Sequence, residues 1–298
     1  MSITVETKGM LLGVVAVAAF SLTLPATRAA IESFNPLFVG IGRGVVASLL
    51  AATYLVAGRH RLPTRNELKS IIIVALGVVA GFPILTAFAM RYVDASHGSI
   101  MLGIQPLATA AAGFVFAGER PSFGFWAMAF LGTTLVVAFS LLKGGGTLQL
   151  ADLALIAAVA SSSIGHAKGA NLTRLLGSLQ VISWALVISA PFLIVPAILY
   201  APNTVHLSVS SWLGFIYVSL VSQFLGFLPW YRGLALGGIA RVGQTRLLQP
   251  FFTIAAASVL LGEAVDAVTL SFAVIVFGVV AIGMRLNIAQ KPNTMLNP

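Results

Sequence analysis

No cysteine occurs among the 298 residues, which excludes disulfides, thiolate metal sites and cysteine nucleophiles and leaves the redox compartment open. Charge is scarce as well: charged side chains make up 8% of the chain, against about 25% in a soluble globular protein. Apolar residues take their place, with 58% hydrophobic residues and a mean hydropathy of +1.00. An all-α polytopic membrane protein is therefore expected. Polar or Pro/Gly/Ser-rich linkers long enough to separate domains are also missing, so residues 1–298 are read as one membrane domain. The net charge of +9 in so apolar a chain points to cationic cytoplasmic loops and not to a nucleic-acid partner. The opening run "MLLGVVAVAAFSLTL" resembles a signal peptide, but "LPATRAA" offers no clean cleavage site and the run reaches spanning length from Gly9 onward. It is read as the first span.

Segments of about 20 mostly apolar residues divide the chain into ten spans, near 9–28, 36–58, 68–90, 95–117, 122–142, 150–171, 178–200, 211–233, 240–262 and 266–287. Barrel-type alternation is absent from these runs, so helices must satisfy the backbone in lipid. With the N-terminus in the cytoplasm, Lys8, Arg59, Arg61, Arg65, Lys69, Arg120, Arg174, Arg232, Arg241, Arg285 and Lys291 collect on one side. Only Arg28, Arg91 and Lys143 fall on the other. Cationic loops face the cytoplasm, so both termini are expected there.

The chain also repeats itself. "GIQPLATAAAGFVFAGE" at 103–119 returns as "LLQPFFTIAAASVLLGE" at 247–263, which sets Gln105, Pro106, Gly118 and Glu119 against Gln249, Pro250, Gly262 and Glu263. Five spans fit into that offset. An odd number forces the second copy to cross in the opposite sense, giving inverted repeats over 9–142 and 150–287. Loop charge agrees: "GRHRLPTRNELK" after span 2 is cationic, whereas "APNTVHLSVSS" after span 7 has neither Lys nor Arg. Inverted repeats characterise secondary transporters, whose substrate sites lie near the midplane between the halves.

Acidic residues are missing from the middle of every span. Glu6, Glu32, Glu67, Asp94, Glu119, Asp152, Glu263 and Asp266 all fall in loops, tails or end turns. Asp94, Asp152 and Asp266 suit helix starts by the dipole alone. Exporters of cationic drugs commonly use a buried carboxylate as counter-ion and proton site, so organic cations are a poor expectation. Hydrolase and metalloprotease signatures (G-x-S-x-G, H-E-x-x-H) do not occur, and no enzyme activity, cofactor or metal is expected.

Positive and donor groups do enter the spans, and intramembrane ionisable residues are candidates for function. Arg43, His166, Lys168 and Arg246 suit a carboxylate-bearing substrate, and each has a purely structural alternative. For Arg246 that alternative is satisfaction by neighbouring backbone, including the carbonyl that Pro250 leaves free. Lys168 is expected to snorkel at the end of span 6. His166 is a candidate for proton coupling or a neutral histidine bonded to Ser162 or Ser163. Gln105 and Gln249 precede helix-breaking prolines and are placed to bind a polar head or the freed backbone. Gln244 adds polar groups to span 9, and Gln223 is a further candidate. Phe82, Trp230, Tyr231 and Tyr92 either line a cavity wall or, for the last three, belong to the interfacial belt. Met101 is counted with the wall.

Taken together, the two Q-P elements, "FVGIGRGVVASLLAA" in span 2 and the opening "GVVAVAAFSLTLPATRAAIE" resemble the drug/metabolite transporter superfamily, in its EamA-type branch. Within it the chain looks most like YddG-type exporters of aromatic and apolar amino acids. The stretch "ASSSIGHAKGA" in span 6 departs from the Trp often found in related chains. The resemblance implies two inverted five-helix repeats, a central cavity near spans 3, 4, 8 and 9, and outward movement of zwitterionic aromatic or apolar amino acids or similar small metabolites by a monomer in the bilayer. Protons are an optional partner. Export of other metabolites or drug-like solutes is the alternative cargo, and a channel or membrane-embedded enzyme is the alternative class.

Overall fold

A computed structural model describes residues 4–93, 98, 101–144, 150–202, 208–261, 267–286 and 288–290. Nearly all of these are helical. Span 1 is Val5–Ser21 followed by Thr23–Ile31, span 2 is Pro36–Ala57, and span 3 is the continuous run from Arg65 to Ala89. Span 4 contributes Gln105–Ala117, span 5 Phe123–Gly144, span 6 Leu150–Leu176 and span 7 Ser178–Leu199. Spans 8, 9 and 10 are Val209–Gly237, Ile239–Leu261 and Ala267–Arg285.

Helix starts carry the expected chemistry. The Asn35 side chain accepts from the Leu37 N–H at 2.9 Å, with Pro36 filling a first-turn position where an N–H would be unpaired anyway. Thr64 and Glu67 form a reciprocal capping box at span 3. Ser208 caps span 8 through the Ser211 N–H. The outside of the bundle is apolar: Leu49, Leu76, Phe114, Phe192 and Ile198 are all exposed, as a lipid-facing surface requires.

Pairing between the halves follows a two-fold pattern. Span 1 packs on span 8 and span 6 on span 3, so each first helix of a repeat lies against the third helix of the other. Span 2 pairs with its counterpart span 7, and span 5 with span 10. Lipid offers no hydrophobic drive to bring helices together, so close contact of small residues must hold such crossings. At the span 1 crossing, a Cβ on Gly9 would collide with the Gly237 backbone nitrogen. At the equivalent crossing, one on Gly77 would collide with the Ser161 carbonyl oxygen.

Spans 3 and 8 share a feature that the sequence pattern does not announce. Both widen into π-helix at matching places, Ala75–Gly81 and Val218–Leu225. The Phe82 N–H reaches back to the Gly77 carbonyl and the Gly226 N–H to the Val221 carbonyl. Pro83, without an N–H, leaves the Val78 carbonyl free in this register, and the Gln223 amide from the other π segment approaches it at 3.5 Å. Spans 4 and 9 are interrupted as expected, with fresh helices starting at Gln105 and Gln249.

The end of span 4 meets the start of span 9. Glu119, just past the end of span 4, accepts the Ile239 and Ala240 N–H groups at 2.6 and 2.8 Å and so caps the start of span 9. Spans 4 and 9, equivalent in the repeat, are thus antiparallel. Gly118, at φ 68°, supplies the left-handed turn that delivers this carboxylate, and Gly238, at φ 86°, the sharp entry into span 9. Beyond Gly118, β1 (Glu119–Pro121) pairs antiparallel with β2 (Ile288–Gln290) after span 10. Glu119 is 2% exposed, and burial pushes its carboxyl up against the opposing pull of the two backbone donors. Sequence alone makes Glu119 a loop residue emerging from the membrane; the structure makes it a buried cap. Its counterpart pair, Gly262 and Glu263, lies outside the described residues, as do Asp94, His97 and Asp266.

Candidate functional site

A central cavity opens where the π segments, the broken helices of spans 4 and 9, and spans 1, 2 and 6 converge. It contains about 450 Å³ of space between atoms, part of it continuous with the exterior. Phe20, Phe82, Phe227, Val78, Leu24 and Leu102 give it apolar walls. Arg43, Arg246, Gln105, Gln249, Gln223, His166, Ser162, Ser222 and Thr23 supply the polar surface.

Arg246 is held on every side but one. Span 9 tightens to a 3-10 helix over Gln244–Leu248, and the Gln249 N–H takes up the Arg246 carbonyl. The carbonyl that Pro250 was expected to leave free is therefore satisfied locally. The guanidinium donates through Nη1 to Gln105 Oε1 at 3.0 Å and to Gln249 Oε1 at 3.4 Å, and through Nη2 to His166 Nε2 at 3.2 Å. Trp230 lies 4.4 Å from its carbon, ring centroid to Cζ, and Phe20 5.3 Å. Neutral acceptors and aromatic faces thus carry a charge whose unaided burial would cost several kcal/mol (order of magnitude). Only Nε is left without a partner.

His166 consequently departs from both expected serine partners. Arginine has no acceptor, so Nε2 must accept and the imidazole is neutral, with its proton on Nδ1. Ser162 is engaged instead by Gln105 Nε2 at 2.9 Å, and Ser163 faces Thr109 at 3.4 Å. Gln249 Nε2 reaches the Phe20 carbonyl at 3.5 Å. The two glutamines therefore tie spans 4, 6, 9 and 1 into one polar network.

Arg43 contrasts with Arg246. It is 2% exposed and lines the cavity, yet no hydrogen bond or ion pair joins its guanidinium to another residue among those described, and its Nε is fully enclosed. A packed structural role would bring an acceptor into bonding range, and none bonds this guanidinium among the described residues.

Other candidates lie elsewhere. Trp230 and Tyr231 are fully buried, which corrects the interfacial-belt alternative; they back the cavity instead of lining it, because span 8 turns them toward spans 1 and 6. Tyr231 fills the space over Gly169, and Trp230 supports Arg246 and His166 from behind. Tyr92 is exposed in the turn after span 3, packed on Phe88, so it belongs to no cavity wall. Met101 packs with the cluster around Leu24, Met90 and Leu155, and its neighbour Leu102 takes the wall position. Gln244 is buried against Gly283 of span 10, away from the cavity. Lys168 lies over the Phe116 ring at 5.3 Å and does not line the cavity.

Several lining residues escape a reading of the sequence. The repeat itself holds the signal for two of them: Phe227 occupies the place of Phe82 in the second Gly-Phe element, and Leu102 stands at the same offset before Arg246 that separates Gln105 from Gln249. Phe20 and Thr23, in an apolar first span, carry no comparable mark.

Two segments, residues 7–141 and 149–284, match the EamA-like transporter family, one in each half of the chain. The chain belongs to this family. Its EamA relatives include the "Uncharacterized transporter YdeK" of Bacillus subtilis (strain 168), 45% identical over 260 residues that cover 87% of this chain and 91% of the relative. A solved chain described as "Crystal structure of protein" superposes with a TM-score of 0.76 over 95% of this chain and 99% of its own length. At 16% identity that likeness concerns the fold alone. The EamA assignment makes this a multi-pass membrane transporter and accounts for the placement of the cavity between two five-helix halves.

Proposed function

We propose that this EamA transporter moves small carboxylate-bearing metabolites, aromatic and apolar amino acids among them, out across the bacterial inner membrane by alternating access. The single domain is built of repeats 9–142 and 150–287 and works as a monomer with both termini in the cytoplasm. The observation that carries this reading is Arg43, a buried guanidinium with no partner among the described residues, facing a cavity walled by Phe20, Phe82 and Phe227. A buried charge left unpaired is costly, and a carboxylate docking there offsets that cost through two parallel charge-assisted bonds. The aromatic walls suit an apolar body of the same solute.

Gln105, Gln249, Arg246 and His166 form the floor that shapes the cavity, and the breaks at Pro106 and Pro250 let the polar network sit at the midplane. Among the described residues no acidic side chain lines the cavity, which disfavours organic cations as cargo. Arg246 also occupies the Nε2 lone pair at which His166 would take up a proton, so facilitated movement down a gradient is the simpler mode.

Reconstituted protein should move labelled Phe, Trp, Met or Thr across liposomes faster than empty vesicles do. Flux indistinguishable from empty vesicles over a broad panel of amino acids and related carboxylates overturns the reading.

A further inference from the structure

The geometry points to a cargo preference within this site: organic monocarboxylate anions lacking an amino group bind in preference to amino acids of the same body, with Arg43 as the specificity-determining residue. This rests on the reading of the cavity as a carboxylate site and deepens it.

Two observations carry the preference. The first is the division of labour between the two guanidiniums. Arg246 spends its terminal nitrogens on Gln105, Gln249 and His166 and its face on Trp230. Arg43 has no such commitments among the described residues, so a carboxylate is drawn to Arg43 and not to the more elaborately held arginine. The second is the sign of the charge around that carboxylate. Both ionised groups on the described cavity wall are cations, and His166 is neutral. An α-ammonium stays within a few ångströms of its own carboxylate, so docking an amino acid on Arg43 brings a third positive charge into the field of the other two. Among the described residues, the wall offers it neutral glutamine, serine, threonine and histidine groups and no carboxylate. A zwitterion therefore gains at one end and loses at the other, whereas a plain carboxylate anion gains only. Neither arginine is repeated: Val187, at the repeat offset from Arg43, and Leu102, at that offset from Arg246, are both apolar, so each half supplies one cation.

A matched trio tests this on the whole protein in detergent at neutral pH, using thermal stabilisation and calorimetric titration with 3-phenylpropanoate, phenylalanine and phenethylamine. The acid is expected to bind about tenfold or more tighter than phenylalanine, as one extra like charge in a partly desolvated site implies, and the amine to give no shift. Arg43→Gln should remove the acid's advantage, and Arg43→Lys should restore part of it without the two-pronged geometry. Phenylalanine binding as tightly as the acid overturns the preference and leaves carboxylate transport standing. The same outcome follows if the acid's advantage survives in Arg43→Gln, since another group would then be reading the charge. Preference for the amine over both acids overturns the carboxylate reading as well. The trio on the unaltered protein decides the preference even if Arg43→Gln does not fold.

Discussion

Arg43 and Arg246 are both buried arginines in one cavity, yet their removal should have opposite effects on stability. Arg43→Leu deletes a charge that no described residue compensates, and the change should raise the unfolding midpoint in detergent while abolishing carboxylate binding. Arg246→Leu strips Gln105, Gln249 and His166 of a shared donor, and each buried polar group left unpaired costs about 1–3 kcal/mol, so the midpoint should fall. Equal losses for both variants would show that Arg43 has a structural partner after all. His166 follows from the same network: His166→Gln keeps an acceptor for Arg246, and transport should persist with an unchanged pH profile. A profile that flattens would assign the proton step to this imidazole. Residue types announce much of this site, because a charge or an amide inside a span is visible in any sequence. They do not distinguish the paired arginine from the free one, since pairing depends on what three other helices bring. Tyr92, Met101 and Gln244 fall outside the cavity for a related reason: a position along a helix is legible, but the side of the helix that meets the cavity is set by packing.

Helix breaks and helix widenings are unequally visible. Proline marks a break by chemistry, and the new helix starts at Gln105 and Gln249 stand where Pro106 and Pro250 demand them. The π segments at Ala75–Gly81 and Val218–Leu225 leave no such mark, because one extra residue per turn changes neither composition nor hydropathy. Their effect is a rotation of everything downstream, and both Phe82 and Phe227 follow directly. Deleting Val79 should let span 3 relax to a regular helix and turn the segment after it by about 100°, moving Phe82 off the cavity wall. The protein should still fold into the membrane, with helical circular dichroism near that of the parent, but lose substrate-induced thermal stabilisation. Retained stabilisation would mean that the widening is incidental. Glu119 acts at the ends of elements: Glu119→Ala frees two buried N–H groups at the start of span 9, and the loss of such a cap costs about 1–2 kcal/mol. Glu119→Gln, which keeps one acceptor, should lose less than Glu119→Ala when the two are compared by thermal unfolding.

At the scale of the molecule, an inverted pair of repeats is the expectation most legible in the sequence, because an odd number of spans between two copies of one motif reverses the second copy when every span crosses. The capping of span 9 by Glu119 and the strand pairing of residues 119–121 with 288–290 gather the ends of spans 4 and 10 and the start of span 9 on one face. Arg28, bonded to the Met90 and Val93 carbonyls at 2.8 and 3.1 Å, ties the ends of spans 1 and 3, and the Ser211 hydroxyl reaches the Ala29 carbonyl at 2.7 Å. These last contacts belong to the opposite face if consecutive spans alternate. Which face looks into the cytoplasm rests on the loop cations alone. The missing cysteines make this easy to test, since any thiol introduced is the sole one in the chain. Single cysteines replacing Arg65 and Arg120 should resist a membrane-impermeant maleimide in intact cells and react once the membrane is opened. Cysteines replacing Asn35 and Ser208 should react in intact cells. Reversal of all four would invert the protein in the membrane but keep the repeat geometry. Residues 65 and 35 labelling from the same side would mean that span 2 does not cross, and the two-fold arrangement of the halves would fall with it.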